Sequence, residues 1–233
     1  MQPQRKTATQ PKPPSFSSWL AVNPIPAIGV GVVAVVILVW ALWLSPYAHV
    51  ANLGSRGTNI VAFGDSLTAG YGAPAGEDYP SDLSRLIGRP IINAGVSGDT
   101  TETALERIDS DVLSRDPRIV IVGLGGNDFL RSIQISETEA NLRTIVSRLT
   151  GRGTIVVLLA FRFPSLTADY ESMYERIAKE NRSLVVKGVL AKIETDPSFK
   201  SDEIHPNSRG YQLMADRVSQ PLRKLIAKAD AAR

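Results

Sequence analysis

Five short apolar runs, each rich in β-branched residues, alternate after Gly57 with longer stretches of helical periodicity. Strands of nearly continuous apolar character are typical of a parallel sheet whose two faces are both covered by helices. The alternation therefore predicts an α/β domain, a three-layer αβα sandwich around five parallel strands. The predicted strands are TNIVAFG (58–64), RPIINAG (89–95), RIVIVGLGG (118–126), GTIVVLLA (153–160) and SLVV (183–186).

Four of the intervening stretches place their apolar residues at the spacing of an amphipathic helix. In the second of them, Ser136 and Glu139 form the sequence pattern of a capping box, and Gly151 follows the last turn. Strands and helices together predict one folded domain over residues 58–229. The predicted helices are 100–115, 136–151, 166–182 and 207–229.

Residues 27–44 form an uninterrupted apolar segment, AIGVGVVAVVILVWALWL, with no charged side chain. At a rise of 1.5 Å per residue, a helix of this length spans about 27 Å, close to the hydrocarbon thickness of a bilayer. Trp40, Trp43 and Tyr47 lie together at one end, where aromatic rings favour the membrane interface. We therefore expect a transmembrane signal-anchor over residues 26–47.

Three basic residues, Arg5, Lys6 and Lys12, precede the apolar segment, and no acidic residue does. Under the positive-inside rule, this asymmetry places the amino terminus in the cytoplasm and the folded domain outside, on the periplasmic or extracellular side. Residues 1–25, rich in Pro, Gln, Thr and Ser, are expected to form a disordered cytoplasmic tail. Residues 48–57 are expected to form a short tether.

Two alternatives to a retained anchor stay open at this point. The apolar segment could be a buried core helix, although such helices are normally shorter and carry some polar positions. It could also be a cleaved signal peptide, which would make the domain a secreted one. The exit sequence SPYAHVAN places His49 two residues before Ala51, whereas signal cleavage favours a small residue at that position.

The charge distribution argues against a nucleic-acid partner. Residues 1–56 contain four basic residues and no acidic one, so the remaining 22 basic and 23 acidic residues give residues 57–233 a net charge of −1. The folded part therefore has no basic footprint for nucleic acid. The chain also has no cysteine, which excludes disulfides, thiol nucleophiles and thiolate metal sites.

Unusual polar residues follow three of the predicted strands. In an open parallel sheet, ligands bind at the carboxyl edge of the strands. Ser66, Gly98 and Asn127 come directly after the first, second and third strands, and are therefore predicted on neighbouring loops of one edge. Taken singly, each residue also has an ordinary interpretation as a turn or helix-cap residue.

An acyl-transfer serine hydrolase needs a hydroxyl, a base, a group that orients the base, and donors for the oxyanion. The chain has only two histidines, and His205 is the one outside the predicted tether. Asp202, three residues earlier, could reach the ring nitrogen that faces away from Ser66. The Asn127 side chain and the backbone N–H groups of Gly98 and Ser66 are the candidate oxyanion donors.

These segments together resemble the conserved blocks of the GDSL, or SGNH, hydrolase family. FGDSLTAGYG resembles the first block, NAGVSGDTT the second, GGND the third and DEIHPN the last. The resemblance covers nearly all of residues 58–215 and is closest to the bacterial periplasmic branch of esterases, acyl-CoA thioesterases and lysophospholipases. It implies Ser66, Asp202 and His205 as the catalytic residues, and Ser66, Gly98 and Asn127 as the oxyanion hole.

The resemblance further implies a flavodoxin-like sheet with strand order 2-1-3-4-5. It implies hydrolysis of a small-molecule ester, thioester or lipid through an acyl-enzyme, without a metal or another cofactor. Residues 187–200 match the branch poorly, which leaves the substrate open. Phe129, Phe161 and Phe163 are candidates for an acyl pocket, but aromatic residues at strand ends also close protein cores, and both interpretations stay open.

Two other functions stay open from the sequence. The GDSLTAG turn could bind a phosphate or another ligand in a non-catalytic flavodoxin-like domain. This hypothesis gives no role to Asn127 or to the pair of Asp202 and His205. Within the enzyme class, the alternative is removal of acetyl groups from a cell-envelope polysaccharide.

Overall fold

The protein is represented by a computed structural model, which describes residues 47–162 and 168–233, together with 32, 33, 35 and 45. The chain divides into two compact units, Met1–Ala48 and His49–Arg233. The predicted tail and most of the predicted anchor, 26–47, lie outside the described residues. Among the residues that are described, no helix is long and apolar enough to cross a membrane.

The larger unit is built on one five-stranded parallel sheet with the strand order β2-β1-β3-β4-β5. This confirms the predicted α/β class and the predicted strand order. The strands are β1 (Asn59–Gly64), β2 (Ile91–Gly95), β3 (Pro117–Gly123), β4 (Ile155–Leu159) and β5 (Leu184–Val186). The helices are α1 (Ser66–Ala69), α2 (Tyr79–Ile87), α3 (Thr101–Asp111), α4 (Gly126–Leu130), α5 (Ile135–Gly151), α6 (Ala168–Glu180) and α7 (Ser208–Ala231).

The central strands are apolar at successive positions because helices cover both faces of the sheet. One set of alternate residues, among them Val61, Phe63 and Val120, belongs to a core cluster with residues of α3, α5 and α6. The alternate set, including Ile60 and Ile119, is equally buried and points to the other face. On that face α2 packs against α7.

Helix α5 begins differently from the sequence prediction. Its first residue is Ile135, its N-cap is Gln134, and no side chain caps it. The predicted capping box of Ser136 and Glu139 is therefore wrong, because Ser136 already lies inside the first turn. The Glu139 carboxylate instead forms ion pairs with the side chains of Arg143 and Arg176.

The segment predicted as a tether contacts the domain at the amino edge of the sheet. Val50 is buried. The Asn52 amide donates to the carbonyls of Thr150 and Thr154, just before β4, at 2.8 and 3.0 Å. The compact unit therefore begins at His49, earlier than the boundary at residue 58 that the sequence predicts.

Candidate active site

Ser66 is the first residue of α1, immediately after the sharp turn that follows β1. Asp65 caps this short helix, with its Oδ1 atom accepting a 3.0 Å hydrogen bond from the Leu67 N–H. Gly64 allows the turn, because a Cβ atom there would collide with the Thr68 hydroxyl and the Gly123 carbonyl. The chain thus reverses within one residue of the strand end and places Ser66 at the carboxyl edge of the sheet.

The Asp65 carboxyl is buried directly beneath this turn. Burial, supported by the negative charges of Asp99 and Asp128, raises its pKa from 3.8 to about 7 despite the lowering effect of the Leu67 N–H. Asp65 contacts the helix start rather than His205. Its local role is therefore to cap α1 and hold the turn.

The side chains of Ser66, His205 and Asp202 form a continuous chain of hydrogen bonds. His205 Nε2 lies 3.0 Å from Ser66 Oγ, and His205 Nδ1 lies 2.8 Å from Asp202 Oδ2. An ionised Asp202 places the ring proton on Nδ1, which leaves the Nε2 lone pair to accept the hydroxyl proton of Ser66. The structure thus brings together the three residues predicted from the sequence.

Asp202 is held in the ionised form by local hydrogen bonds. Partial burial would raise its pKa, but the backbone N–H of His205, the His205 ring and the backbone N–H of Ile204 outweigh this effect and lower the pKa to about 2. The two backbone bonds measure 2.7 and 2.8 Å, both to Oδ1. Asp202 therefore stays negatively charged beside His205 throughout the neutral and mildly acidic range.

The loop that carries His205 is closed on itself before α7. Lys200 and Pro206 form an isolated antiparallel bridge, and the Ser201 N–H donates to the His205 carbonyl at 2.9 Å. Asn207 then caps α7 through a 3.1 Å hydrogen bond from the Gly210 N–H. The histidine is consequently fixed by the start of the last helix.

Two tyrosines that sequence reasoning did not single out support this loop. The Tyr71 ring packs against the His205 ring with 4.5 Å between centroids and 50° between planes. The buried Tyr211 hydroxyl donates a 2.7 Å hydrogen bond to the Tyr71 carbonyl. Gly72, at φ +92°, allows the two loops to meet, because a Cβ there would collide with Ser201. In the sequence, only the flanking glycines, Gly70 and Gly72, indicated that Tyr71 lies in a tight loop.

The three candidate oxyanion donors lie on adjoining loops. The Asn127 amide donates a 2.9 Å hydrogen bond to the Asp99 carbonyl, which joins the start of α4 to the loop after β2. Gly98, the residue before Asp99, has a φ of +88°. Among the described residues, the N–H groups of Ser66 and Gly98 have no acceptor. They and the second amide hydrogen of Asn127 are therefore available to a ligand.

Asp128 fixes the position of its neighbour Asn127. Its fully buried carboxylate accepts hydrogen bonds from the Thr101 N–H at 2.9 Å, from the Thr101 hydroxyl, and from the Thr138 hydroxyl at 3.3 Å. The side chain thus caps α3 from another element and ties α3, α4 and α5 together. This contact rigidifies the loop that presents Asn127.

The three aromatic candidates for an acyl pocket differ in the structure. Phe161 is only 1 % exposed and lies within the protein interior, so it closes the core and offers a ligand almost no surface. Phe129 is half-buried and packs edge-on against Tyr170, with 5.9 Å between centroids. Phe163 lies outside the described residues.

Other apolar side chains are exposed close in sequence to the site residues. Within residues 49–233, the large apolar side chains that the structure describes as exposed all lie in the segments that carry or adjoin the candidate site residues. We call these four residues the apolar rim. Tyr71 follows α1, Val96 follows β2, Leu130 is the last residue of α4, and Ile204 precedes His205.

Comparisons with known proteins agree with this geometry. Residues 62–213 match the model of the GDSL-like lipase/acylhydrolase family. The chain is 29% identical over 195 residues to the thioesterase 1/protease 1/lysophospholipase L1 of Escherichia coli K12, covering 79% of this chain and 94% of the relative. It is 30% identical over 176 residues to an arylesterase of Vibrio mimicus, covering 71% and 88%.

A solved structure is also similar. The SGNH-hydrolase family esterase AlinE4 is 36% identical, with a TM-score of 0.56 over 72% of this chain and 96% of that one. The family match spans well over half of the chain and includes every residue of the hydrogen-bonded chain from Ser66 to Asp202. The chain therefore belongs to the GDSL-like lipase/acylhydrolase family, and it is a serine ester hydrolase.

Proposed function

We propose that this protein cleaves carboxylic ester and thioester bonds through an acyl-enzyme on Ser66, with His205 as general base and Asp202 as the carboxylate that orients it. The observation that carries the proposal is the unbroken series of hydrogen bonds from Asp202 through His205 to Ser66, at 2.8 and 3.0 Å. A ligand-binding role for the turn would leave this arrangement without a purpose.

In the first half-reaction, His205 Nε2 takes the Ser66 proton while Oγ attacks the acyl carbonyl carbon. The resulting imidazolium is stabilised by Asp202. His205 then donates the proton to the leaving alcohol or thiol as the bond to the acyl carbon breaks. In the second half-reaction, His205 takes a proton from water as the water oxygen attacks the acyl carbon. His205 then returns this proton to Ser66 Oγ as the bond between Oγ and the acyl carbon breaks, which releases the acid and restores Ser66.

The developing oxyanion is proposed to bind the backbone N–H groups of Ser66 and Gly98 and the side-chain amide of Asn127. Fixed donors of this kind stabilise the tetrahedral intermediate without reorganisation at the moment of reaction. The positive φ of Gly98 and the bond from Asn127 to the Asp99 carbonyl support this assignment, because both orient donors that have no other described acceptor.

The apolar rim supports a substrate with an apolar acyl chain. Exposed large apolar side chains that gather around one site are a common mark of binding to an apolar ligand. A deacetylase of polysaccharide would need polar groups around the same site instead. The names of the relatives, which include a thioesterase and a lysophospholipase, agree in class with an acyl-chain substrate.

A chain-length series tests this substrate class. Nitrophenyl esters and acyl-CoA thioesters from acetyl to palmitoyl would be compared by kcat/KM, with lysophospholipid as a third substrate. We expect an optimum at eight carbons or more, and lower efficiency on long chains when Leu130 or Val96 is replaced by serine. An optimum at acetyl would favour the polysaccharide alternative.

We further propose that residues 26–47 anchor the protein in a membrane, with residues 1–25 in the cytoplasm and the catalytic domain on the periplasmic or extracellular side. The support is the uncharged apolar run of 27–44 and the basic residues before it. Because the compact unit already begins at His49, such an anchor would join the domain without a long tether.

Carbonate extraction of membranes, followed by protease treatment of intact and opened cells, tests this topology. An anchored protein stays in the membrane pellet, and its catalytic domain is cut only from the outer side. The mass of the mature chain distinguishes the alternative, because a secreted domain would have lost its amino-terminal segment.

A further inference from the structure

Arg107, on α3, contacts the ends of β1 and β2 and the loop that follows β2. Its Nε atom donates to Asp99 Oδ2 at 2.6 Å. Its two terminal nitrogens donate at 3.0 Å to the carbonyl of Ala94 and to the carbonyl of Gly64. The guanidinium also lies 4.6 Å from the centre of the Phe63 ring.

These partners are the ends of the elements that present the site. Gly64 is the last residue of β1, two residues before Ser66, and Ala94 lies at the end of β2. Asp99 follows the oxyanion glycine, and its carbonyl accepts the hydrogen bond of Asn127. The Arg107 guanidinium therefore binds both the backbone just before Ser66 and the loop after β2. That loop contains one candidate oxyanion donor, the Gly98 N–H, and orients a second, the Asn127 amide.

The contact pattern requires an arginine rather than any cation. A guanidinium offers five N–H donors in a fixed plane, whereas an ammonium offers three rotatable donors around a point charge. Arg107 uses its plane to reach two backbone carbonyls and the carboxylates of Asp99 and Asp111 at once. Its side chain is 15% exposed, so water competes weakly for these donors.

We propose that Arg107 is a positioning residue for the oxyanion hole, and that it acts through Asp99 on Gly98 and Asn127. This inference rests on the proposed function, because it assumes that those two residues bind the oxyanion. Arg107 touches neither the hydrogen-bonded chain of Asp202 and His205 nor the Ser66 hydroxyl in the described contacts. Its loss is therefore predicted to affect transition-state stabilisation and not the basicity of His205.

The test compares the full-length chain with Arg107→Lys in steady-state hydrolysis of a nitrophenyl ester. We expect kcat to fall about 10²-fold, in the range typical for the loss of one oxyanion donor. KM is expected to change less than about threefold, because the ground-state carbonyl uses the hole weakly. The acid limb of the kcat/KM pH profile should not move.

A double-mutant cycle with Asn127→Ala separates positioning from general structural support. If Arg107 acts through the oxyanion donors, Arg107→Lys should cost much less in the Asn127→Ala background than in the wild type. Asp99→Asn, which weakens the same ion pair, should reproduce the loss of kcat to a smaller extent. Arg148→Lys is the matched control, since Arg148 joins α3 to α5 through Asp109 at 2.6 Å and should leave kcat unchanged.

The inference is overturned if Arg107→Lys lowers only the melting temperature and keeps kcat within about threefold of the wild type. It is also overturned if the kcat losses of Arg107→Lys and Asn127→Ala multiply fully in the double variant. A shift in the acid limb of the kcat/KM pH profile of Arg107→Lys would overturn it as well. If Arg107→Lys does not fold, Asp99→Asn decides by the same criteria. Ser66→Ala, measured in parallel, keeps the questions apart, because an active Ser66→Ala enzyme would refute the proposed function itself.

Discussion

Asp202 binds His205 at two places, through the ring and through the backbone. Oδ2 lies 2.8 Å from the ring Nδ1, and Oδ1 accepts the backbone N–H of the same residue at 2.7 Å. One carboxylate thus sets both the position of the histidine backbone and the orientation of its ring. Because local hydrogen bonds lower the pKa of Asp202 to about 2, the carboxylate stays ionised in the neutral and mildly acidic range.

Replacing Asp202 by asparagine separates these two functions. The loop should keep its shape, because an amide oxygen can still accept the two backbone hydrogen bonds, but a neutral amide cannot stabilise the imidazolium. For the Asp202→Asn enzyme we expect kcat to fall about 10²–10⁴-fold, with the upper end set by the comparable change in serine proteases. Asp196→Asn is the control, because the Asp196 carboxylate also accepts a backbone hydrogen bond, from the Ser198 N–H at 3.0 Å, but has no described contact with His205, and it should have no such effect on hydrolysis.

The oxyanion assignment is tested at Asn127. Asn127→Ala removes the amide donor, and we expect kcat to fall about 10²–10³-fold with a smaller change in KM. Asn181→Ala serves as a control, since the Asn181 amide also donates to a backbone carbonyl, that of Ile177, at the far end of α6. Equal effects of the two substitutions on kcat would show that Asn127 has only a structural role.

Asp65 gives the folded protein a specific pH dependence. Because its pKa rises from 3.8 to about 7 on folding, the folded state binds this proton more tightly than the unfolded state does. The contribution of Asp65 to stability is therefore fully present below pH 3.8 and is lost as the pH rises to about 7. At about 1.4 kcal/mol for each pKa unit, the loss is at most about 4 kcal/mol.

Asp65→Asn keeps an oxygen that can cap α1 but removes the titration. Denaturant unfolding of both proteins at several pH values between about 4 and 8 measures the difference in their free energies of unfolding. We expect the variant to gain stability relative to the wild type as the pH rises from about 4 to 7, and the difference to level off above that. If the free energies of unfolding of the two proteins changed in parallel with pH across this range, the raised pKa of Asp65 would be contradicted.

The sequence was informative where patterns are local or recur in a family. The five strands lie within three residues of the predicted ends, because uninterrupted Val and Ile runs have few alternatives to a buried parallel strand. Ser66 and His205 were identified from their flanking glycines, acids and proline, although 139 residues separate them. The residues next to a catalytic side chain can therefore identify it even when its partner is distant in the sequence.

Other features depend on contacts that no local pattern records. Arg107 reaches the carbonyls of Ala94 and Gly64, which are 13 and 43 residues away, and nothing in the sequence of α3 marks it. The capping box at Ser136 was wrong because α5 begins one residue earlier, at Ile135, and Glu139 forms ion pairs with Arg143 and with Arg176 on α6. Phe161 was equally compatible with a pocket and with the core until its burial was known.

The most direct measurement of the central claim is covalent labelling by a phosphonate ester, read out by peptide mass spectrometry together with residual activity. We predict one adduct per chain, on Ser66, formed in parallel with loss of hydrolysis. Ser66→Ala should neither react nor turn over substrate, with kcat lowered on the order of 10⁶-fold, while the control Ser147→Ala, at an exposed serine, should behave as the wild type. An adduct on another residue, or wild-type hydrolysis by Ser66→Ala, would contradict the account.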